Sequence, residues 1–596
     1  MAWRIEDYAL VGDLHTAALV SRDGSIDWLC LPRFDSGACF AALLGDEENG
    51  HWRIAPCGEH GCTRRAYRGD TLVLETFWNT STGSVKVIDF MPHRDELPDL
   101  VRIVEGLRGE VRMESEVRLR FDYGRIMPWV RRSGHSWTAI AGPDSVRLGT
   151  DPRSHTHSAG FRTRSEFTVR AGERVPFTLI WHPSHEPGPP PEDPETALAS
   201  TIRVWDEWAA GCAYRGPWRE AVVRSLITLK ALTYRPTGGV VAAATTSLPE
   251  VIGGQRNWDY RYCWLRDATL TLAALVRNGY LEEAGAWREW LLRAVAGDPA
   301  DLRIMYGLAG ERRLPEMTLD WLPGYAGSFP VRIGNAAAEQ LQLDVYGQVV
   351  DTLFLARQAG LGAEVDVWRL QRALLDHLES NWRQPDEGLW EVRCERRHFV
   401  HSKVMAWVAM DRAVRTVEAG DYPGPVKRWR ALRDEIHREV CTRGYDTERG
   451  TFTRSYGSRE LDAATLVIPR VGFLPPDDPR VVGTVTTIAR ELEHGGLVRR
   501  YADPVDIAVD GVPGTEGAFI ACSFWLANAL HTIGEHTAGR DLFERVLDLR
   551  NDVGLLAEEW DPVTGQQVGN FPQAYSHIDL INTACVLSGH EVTPAQ

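Results

Sequence analysis

Nowhere in these 596 residues do apolar side chains run unbroken for the roughly 18 positions a membrane-spanning helix needs. A chain threaded through a bilayer is therefore excluded. A positive excess is also missing: the net charge is −16, and the basic residues are scattered rather than gathered into a stripe, so a nucleic-acid backbone is not the partner. The first stretch, "MAWRIEDYALVGDLHTAALV", has acids where a secretory leader would place bases and an apolar block, so the expected location is the cytoplasm. Ten cysteines in this length are too few for a disulfide framework. Most lie in apolar runs such as "DWLCLP", "YCWLRD" and "IACSFW", the setting of reduced, buried thiols. Only "CGEHGC" (Cys57, His60, Cys62) resembles a metal clip. A zinc site takes about four ligands, no matching second cluster appears, and no metal is expected.

What is present is a soluble globular composition, 44% hydrophobic and 25% charged, in a chain too long for one ordinary core. Residues 1–183 read as strands joined by tight turns. "AALVSRDGSIDWLCLP" folds back at Asp-Gly, "LVLETFWNTSTGSVKVIDFMP" at Thr-Gly and "EFTVRAGERVPFTLIWHP" at Ala-Gly, the pattern of an antiparallel sandwich. The prolines of "HPSHEPGPPPEDPE" exclude both helix and central strand. Residues 184–215 are thus a linker with a linker helix. From 216 to 590 the apolar period changes from two to 3.6, giving about twelve helices in succession. No fixed repeat favours an open array, so a closed double ring of helices is the expectation.

Between these helices run long connectors rich in tryptophan and carboxylates: "TTSLPEVIGGQRNWDYRYCWLRD", "MTLDWLPGYAGSFPVRIGN", "PDEGLWEVRCERRHFVHSK" and "LLAEEWDPVTGQQVGNFPQAYSH". Loops of this length in a compact domain usually carry function. Flat apolar faces with charged acceptors suit a sugar ring and its hydroxyls, although tryptophan also fills helix junctions. Within them Glu391 follows Trp390 and is crowded by Arg393, Arg396 and Arg397. A carboxyl against an indole has its pKa raised and can donate a proton, whereas one paired with arginine is lowered and structural. Both readings stand at this point.

The segments "IEDYALVGDLHTAALVSRDGSIDWLCLPRFDS", "NWDYRYCWLRDA", "GLWEVR", "RHFVHSKVMAWVA" and "NFPQAYSH" resemble, in the same order, motifs of glycoside hydrolase family 15, the glucoamylase family, and of its bacterial trehalase-like branch. The resemblance spans nearly the whole chain. It implies an N-terminal β-sandwich, an (α/α)6 barrel, an active site among the loops at one barrel end, and hydrolysis of a terminal α-glucosidic bond with inversion. No organic cofactor is implied. Glu391 matches the family's general acid and Glu558 in "LLAEEWDP" its base. Glu559 is a one-residue alternative, and Glu516 a third candidate that also reads as a helix N-terminal carboxylate. Arg266 and Asp267 match the pair that holds hydroxyls of the terminal glucose, and they also read as a helix cap and first-turn ion pair. Trp258, Asp259, Trp264, Trp321, Arg332, Trp390 and His577 are further pocket candidates, each with a core or loop-packing alternative.

The function expected is exo-acting hydrolysis of a small α-glucoside, with trehalose favoured by the resemblance and isomaltose or a short α-glucan next. A non-catalytic sugar-binding protein and a phosphorylase, which needs no base, are the competing classes. Self-association is left open.

Overall fold

The computed structural model describes residues 3–58, 61–93, 97–151, 154–190, 192–362, 364–420, 422–502 and 510–590. His60 of the "CGEHGC" clip lies outside them. The N-terminal part is antiparallel as expected, but its fifteen strands form one hydrogen-bonded sheet because one strand serves two halves. Strand Asp99–Arg118 is 20 residues long. Its first half pairs with Gly83–Phe90 and Arg174–Pro183, and its second half with His51–Pro56 and Arg162–Arg170.

The Ala-Gly turn after Arg170 therefore does not close a hairpin. It carries the chain from the second half to the first, and both flanking strands pair with Asp99–Arg118 instead of with each other. Glycines make the crossing. A Cβ on Gly106 would sit 2.1 Å from the Arg170 carbonyl oxygen, and Gly109 has φ +65° with a would-be Cβ 2.2 Å from the Thr82 carbonyl oxygen. Only a residue without a side chain lets the backbones approach so closely.

Helix Pro194–Ala210 begins inside the proline-rich stretch, with Pro194 in its first turn and the Asp193 carboxylate accepting from the Thr196 amide, the pattern that starts helices. Its Ala197 and Leu198 cover a small apolar face made by Val73, Ile88, Phe90, Val101 and Ile103. The larger core runs without a break from Ile5 to Cys585, through both the sheet and the helices. The two are also pinned by polar contacts: the Trp28 indole donates to the Ala244 carbonyl at 2.8 Å, and the buried Arg65 guanidinium holds Asp552 at 2.7 Å.

Thirteen α-helices occur among the described residues. Six elements pack in a cycle: Ala268–Arg277, Asp344–Gln358, Val400–Glu418, the turn Ala463–Leu466 running into Val467–Arg470, Ile520–Thr532, and Ala574–Leu587, which returns to the first. The others lie outside them. Their sequences already differ in kind. Val400–Glu418 is buried almost all round, whereas Val426–Arg443 buries only Trp429, Leu432, Ile436 and Val440, one stripe, as expected for inner and outer helices. The segment "AAEQLQLDVYGQVVDTLFLARQAG", residues 337–360, has the apolar period of one long helix, but that helix is broken. Ala336–Glu339 is a short 3-10 turn and Gln340 is extended before Asp344–Gln358 starts, because residues 335–343 help form the wall of the site described below.

Close packing of two inner helices depends on Gly347, where a Cβ would lie 2.3 Å from the Met405 carbonyl oxygen. Gly347→Ala should cost about 1–3 kcal/mol, the scale of overpacking, and lower the thermal midpoint. Gly285→Ala, on a helix position where a Cβ meets nothing within 4 Å, should leave the midpoint unchanged or raise it. Equal behaviour of the two variants in thermal unfolding would show that the Gly347 contact is not tight.

Candidate active site

The connectors that enter the N-termini of the inner helices close around a pocket. Glu250, Arg256, Trp258, Tyr260 and Arg266 line it on one side, with Asn335, Ala337, Trp390, Glu391 and Arg393, and Arg500, Asp510, Val512 and Phe519 complete the lining. Glu391 stands in its wall with φ 56°, a left-handed conformation that costs a non-glycine residue roughly 1–2 kcal/mol. The turn is held by Gln340, whose side-chain amide donates to the carbonyls of Glu391 and Val392 at 3.2 and 3.1 Å. Trp390 is pinned on the other side: its indole donates to Asp462 at 2.8 Å and its ring stacks on Trp525.

The crowding arginines turn away from Glu391. Arg393 pairs with Glu316 at 2.9 Å, Arg396 with Glu387 at 2.8 Å, and Arg397 with Glu460 at 3.6 Å. What does reach Glu391 is the Trp264 indole N–H, at 2.6 Å, and more distantly Arg266 at 3.4 Å. Burial raises the Glu391 carboxyl above its ordinary range, and Arg266 opposes this. The indole that matters electrostatically is thus Trp264, not the adjacent Trp390.

Tyr260 donates its hydroxyl to Glu558 Oε1 at 2.5 Å, and its ring meets that of Trp264 edge-on at 5.2 Å. One aromatic pair therefore holds both carboxyls. Glu558 Oε2 is buried without a partner, and burial, followed by the Glu250 carboxylate, raises this carboxyl. Opposite it Gly569 has φ +79°, and a Cβ there would come within 2.7 Å of Glu558 Oε2; glycine keeps that space open.

Behind these groups lies a buried charge cluster. Arg500 donates to Glu516 at 2.9 Å and to Glu250 at 3.2 Å and stands 3.8 Å from Glu559. Arg256 grips Asp510 with two hydrogen bonds of 2.6 and 2.9 Å. Glu250, Glu516 and Glu559 bring carboxylate oxygens within 4.8 Å of one another; the Arg500 guanidinium serves all three, and Arg256 stands 3.7 Å from Glu250 and 3.6 Å from Glu516. Both Glu559 oxygens lack hydrogen-bond partners, and burial beside Glu250 and Glu516 raises its carboxyl far above the ordinary range. Adjacent residues project to opposite sides of an extended segment, so Glu558 meets Tyr260 while Glu559 faces the arginines.

The sequence model of glycosyl hydrolases family 15 matches residues 216–585, and one described as trehalase-like, N-terminal, matches residues 1–144. The chain belongs to glycosyl hydrolases family 15. It is 38% identical to a trehalase of Mycobacterium tuberculosis, over 97% of this chain and 88% of that one. With a trehalase of Mycolicibacterium smegmatis the identity is 39%, over 97% and 90%. A bacterial glucoamylase solved with acarbose shares the fold at a TM-score of 0.73 and 11% identity, over 99% of this chain and 94% of that one.

In this family 15 hydrolase the remaining candidates separate. Arg266 lines the pocket and holds Asp267 at 2.8 Å. Asp267 sits at the start of Ala268–Arg277 but makes no side-chain cap, so the capping alternative is not realised. Trp258 lines the pocket, donates to Glu250 at 3.0 Å, and is sandwiched between Arg332 and Arg393; Arg332 backs the wall from behind. Asp259 is spent on Arg261 and the Gly334 amide. Trp321 is 38% exposed and donates to the Tyr123 carbonyl, at the junction with the sheet.

His577 is fully buried, and burial pushes its pKa down to about 3. Its Nε2 accepts from the Leu556 amide at 3.2 Å, which leaves Nδ1 to donate to Ser225 at 2.9 Å. It thereby fixes the segment that carries Glu558. Sequence reasoning missed Tyr260, Glu250, Arg256, Arg500 and Asp510. Tyr260 lies inside "NWDYRYCWLRDA", but nothing local marks its hydroxyl as the partner of a residue 298 positions away.

A carboxyl with a raised native pKa binds its proton more tightly in the folded chain, so stability falls as pH rises above the ordinary carboxyl range and no penalty exists below it. Glu558→Gln, which keeps an acceptor for Tyr260, should raise the thermal midpoint at pH 7.5 and leave it unchanged at pH 4. A variant no more stable than wild type at pH 7.5 would mean that Glu558 is not held in a penalised state.

Proposed function

We propose that the chain is an inverting, exo-acting α-glucosidase whose substrate is trehalose, with Glu391 as general acid and Glu558 as general base. The observation that carries this reading is the pair of carboxyls on two separate loops, one bonded to Trp264 and the other to Tyr260, within a single aromatic contact. Trehalose is favoured because relatives matched over almost their whole length are trehalases. In the same reading the cycle of six inner helices with its outer layer is an (α/α)6 barrel, residues 216–590. Residues 1–183 form a β-sandwich domain, and 184–215 join the two.

Inversion needs one carboxyl to protonate the leaving oxygen and another, on the opposite face of the sugar, to deprotonate the attacking water. Burial favours the neutral form of Glu391, which supplies the proton. Glu558 must be ionised to accept one; burial and then Glu250 work against that form and raise the carboxyl to about 8, while the Tyr260 hydroxyl and Arg500 are the groups that favour it. In this reading Arg266, which lines the pocket, and Asp267, paired with it, hold hydroxyls of the terminal glucose, an arginine donating and a carboxylate accepting. The C1–O bond to the leaving glucose breaks as the water oxygen bonds C1 from the other side. The water's proton goes to Glu558 and the Glu391 proton to the departing oxygen.

The test is turnover of trehalose and isomaltose, with the first-formed anomers read by proton NMR. Trehalose should yield one α- and one β-glucose; α-glucose alone would reject inversion, and faster turnover of isomaltose would reject trehalose. Glu391→Gln should slow trehalose cleavage by about 100-fold or more, the scale of general-acid loss, yet slow α-glucosyl fluoride far less. Glu558→Gln should lose roughly 100- to 10,000-fold on both and be rescued in part by azide. Rescue of Glu559→Gln instead would move the base by one residue.

A further inference from the structure

On the far side of the pocket floor, the bore of the inner helices is open. Two adjoining spaces, a narrow inner one and a wider outer one, share Gln348, Arg470, Trp525, Asn528 and Thr532, and all six inner elements contribute to the wall of the wider one. Among the described residues, the inner end holds one buried polar atom that nothing satisfies. His401 is 6% exposed and lines this space, its Nδ1 has no hydrogen-bond partner, and burial pushes its pKa down to about 3. Arg470, at its edge, makes no hydrogen bond or ion pair within 4 Å among the described residues. Asp579 faces the same space and uses one carboxylate oxygen to accept from Trp525 at 2.8 Å.

We propose that this bore is a second, non-catalytic site for a small neutral polyhydroxylated molecule, and that its occupant is the glucose released on the other side of the wall. The naming of glucose rests on the hydrolase reading above; the class of ligand does not. An anion would meet the Asp579 carboxylate, and a cation would meet Arg470. An apolar ligand would leave the buried His401 imidazole nitrogen without a partner, at a cost, and would offer nothing to the amides of Gln348 and Asn528 that line the space. Hydroxyls both donate and accept, which is what this mixed lining requires.

The wall is shared. Trp525 stacks on Trp390 at 5.6 Å, and the Tyr575 ring lies 5.0 Å from the Arg266 guanidinium. A molecule in the wider space lies against Trp525 and therefore loads the back of Trp390, which faces the pocket. Product would act there without competing for the pocket.

The test uses the full chain with α-glucosyl fluoride, which reports on the pocket whichever disaccharide is natural. Glucose should inhibit with both a competitive and a non-competitive component, and calorimetry should count two glucose molecules per chain. Asn528→Leu should remove the non-competitive component and one of the two, while uninhibited turnover stays within about two-fold of wild type. Thr532→Val serves if the first variant fails to fold. One glucose per chain with purely competitive inhibition would overturn the proposal, and so would displacement of the second glucose by inorganic phosphate but not by other sugars. If no glucoside is turned over, the calorimetric count still decides the bore site, and only the hydrolase reading has failed.

Discussion

Two buried guanidiniums hold the pocket together. Arg500 joins Glu250 to Glu516 and lies over the Trp390 ring, while Arg256 clamps Asp510 and the Val512 carbonyl. These bonds tie together loops that are about 250 residues apart in sequence. Buried ion pairs rarely add net stability, because desolvation offsets attraction, but breaking one leaves an uncompensated charge. The geometry of the site therefore depends on both arginines being paired. Five carboxyls (Glu250, Asp510, Glu516, Glu558 and Glu559) surround them, so the surplus negative charge falls on the groups with the fewest donors. Those are Glu558 and Glu559, whose carboxyls are raised by burial first and by the neighbouring carboxylates second.

This arrangement needs a rigid frame, and the frame is continuous. The apolar core passes from the sheet into the helices, and Trp28, on a strand of the sheet, donates to a carbonyl only six residues before Glu250. Arg261, two residues from Asp259 and next to Tyr260, reaches the Ser36 carbonyl at 3.0 Å. The sheet thus braces the loop that carries Tyr260, Trp264 and Arg266. Asp259, read from the sequence as a sugar contact, instead fixes this brace. Trp321 does similar work at the junction through its indole N–H, which donates to the Tyr123 carbonyl at 3.0 Å while the ring stays exposed.

Much was legible in the chain itself. Periodicity separated strands from helices, the proline-rich stretch marked their boundary, and the distinction between all-round and one-sided apolar helices was written in Val400–Glu418 and Val426–Arg443. The motif "GLWEVR" brought Glu391 forward and "LLAEEWDP" narrowed the second carboxyl to two adjacent residues, because local spacing records which side chains share a loop. Tertiary structure decided what lies beyond local spacing. It turned three arginines away from Glu391, exchanged Trp390 for Trp264 as the indole that touches it, and gave Tyr260 to Glu558 across 298 residues. It also made one sheet of what read as separate hairpins, and it left His577 as a neutral brace. Periodicity and turn chemistry are properties of a few neighbouring residues, whereas a hydrogen-bond partner or a raised pKa is set by distance and burial. Those exist only once remote segments have been brought together.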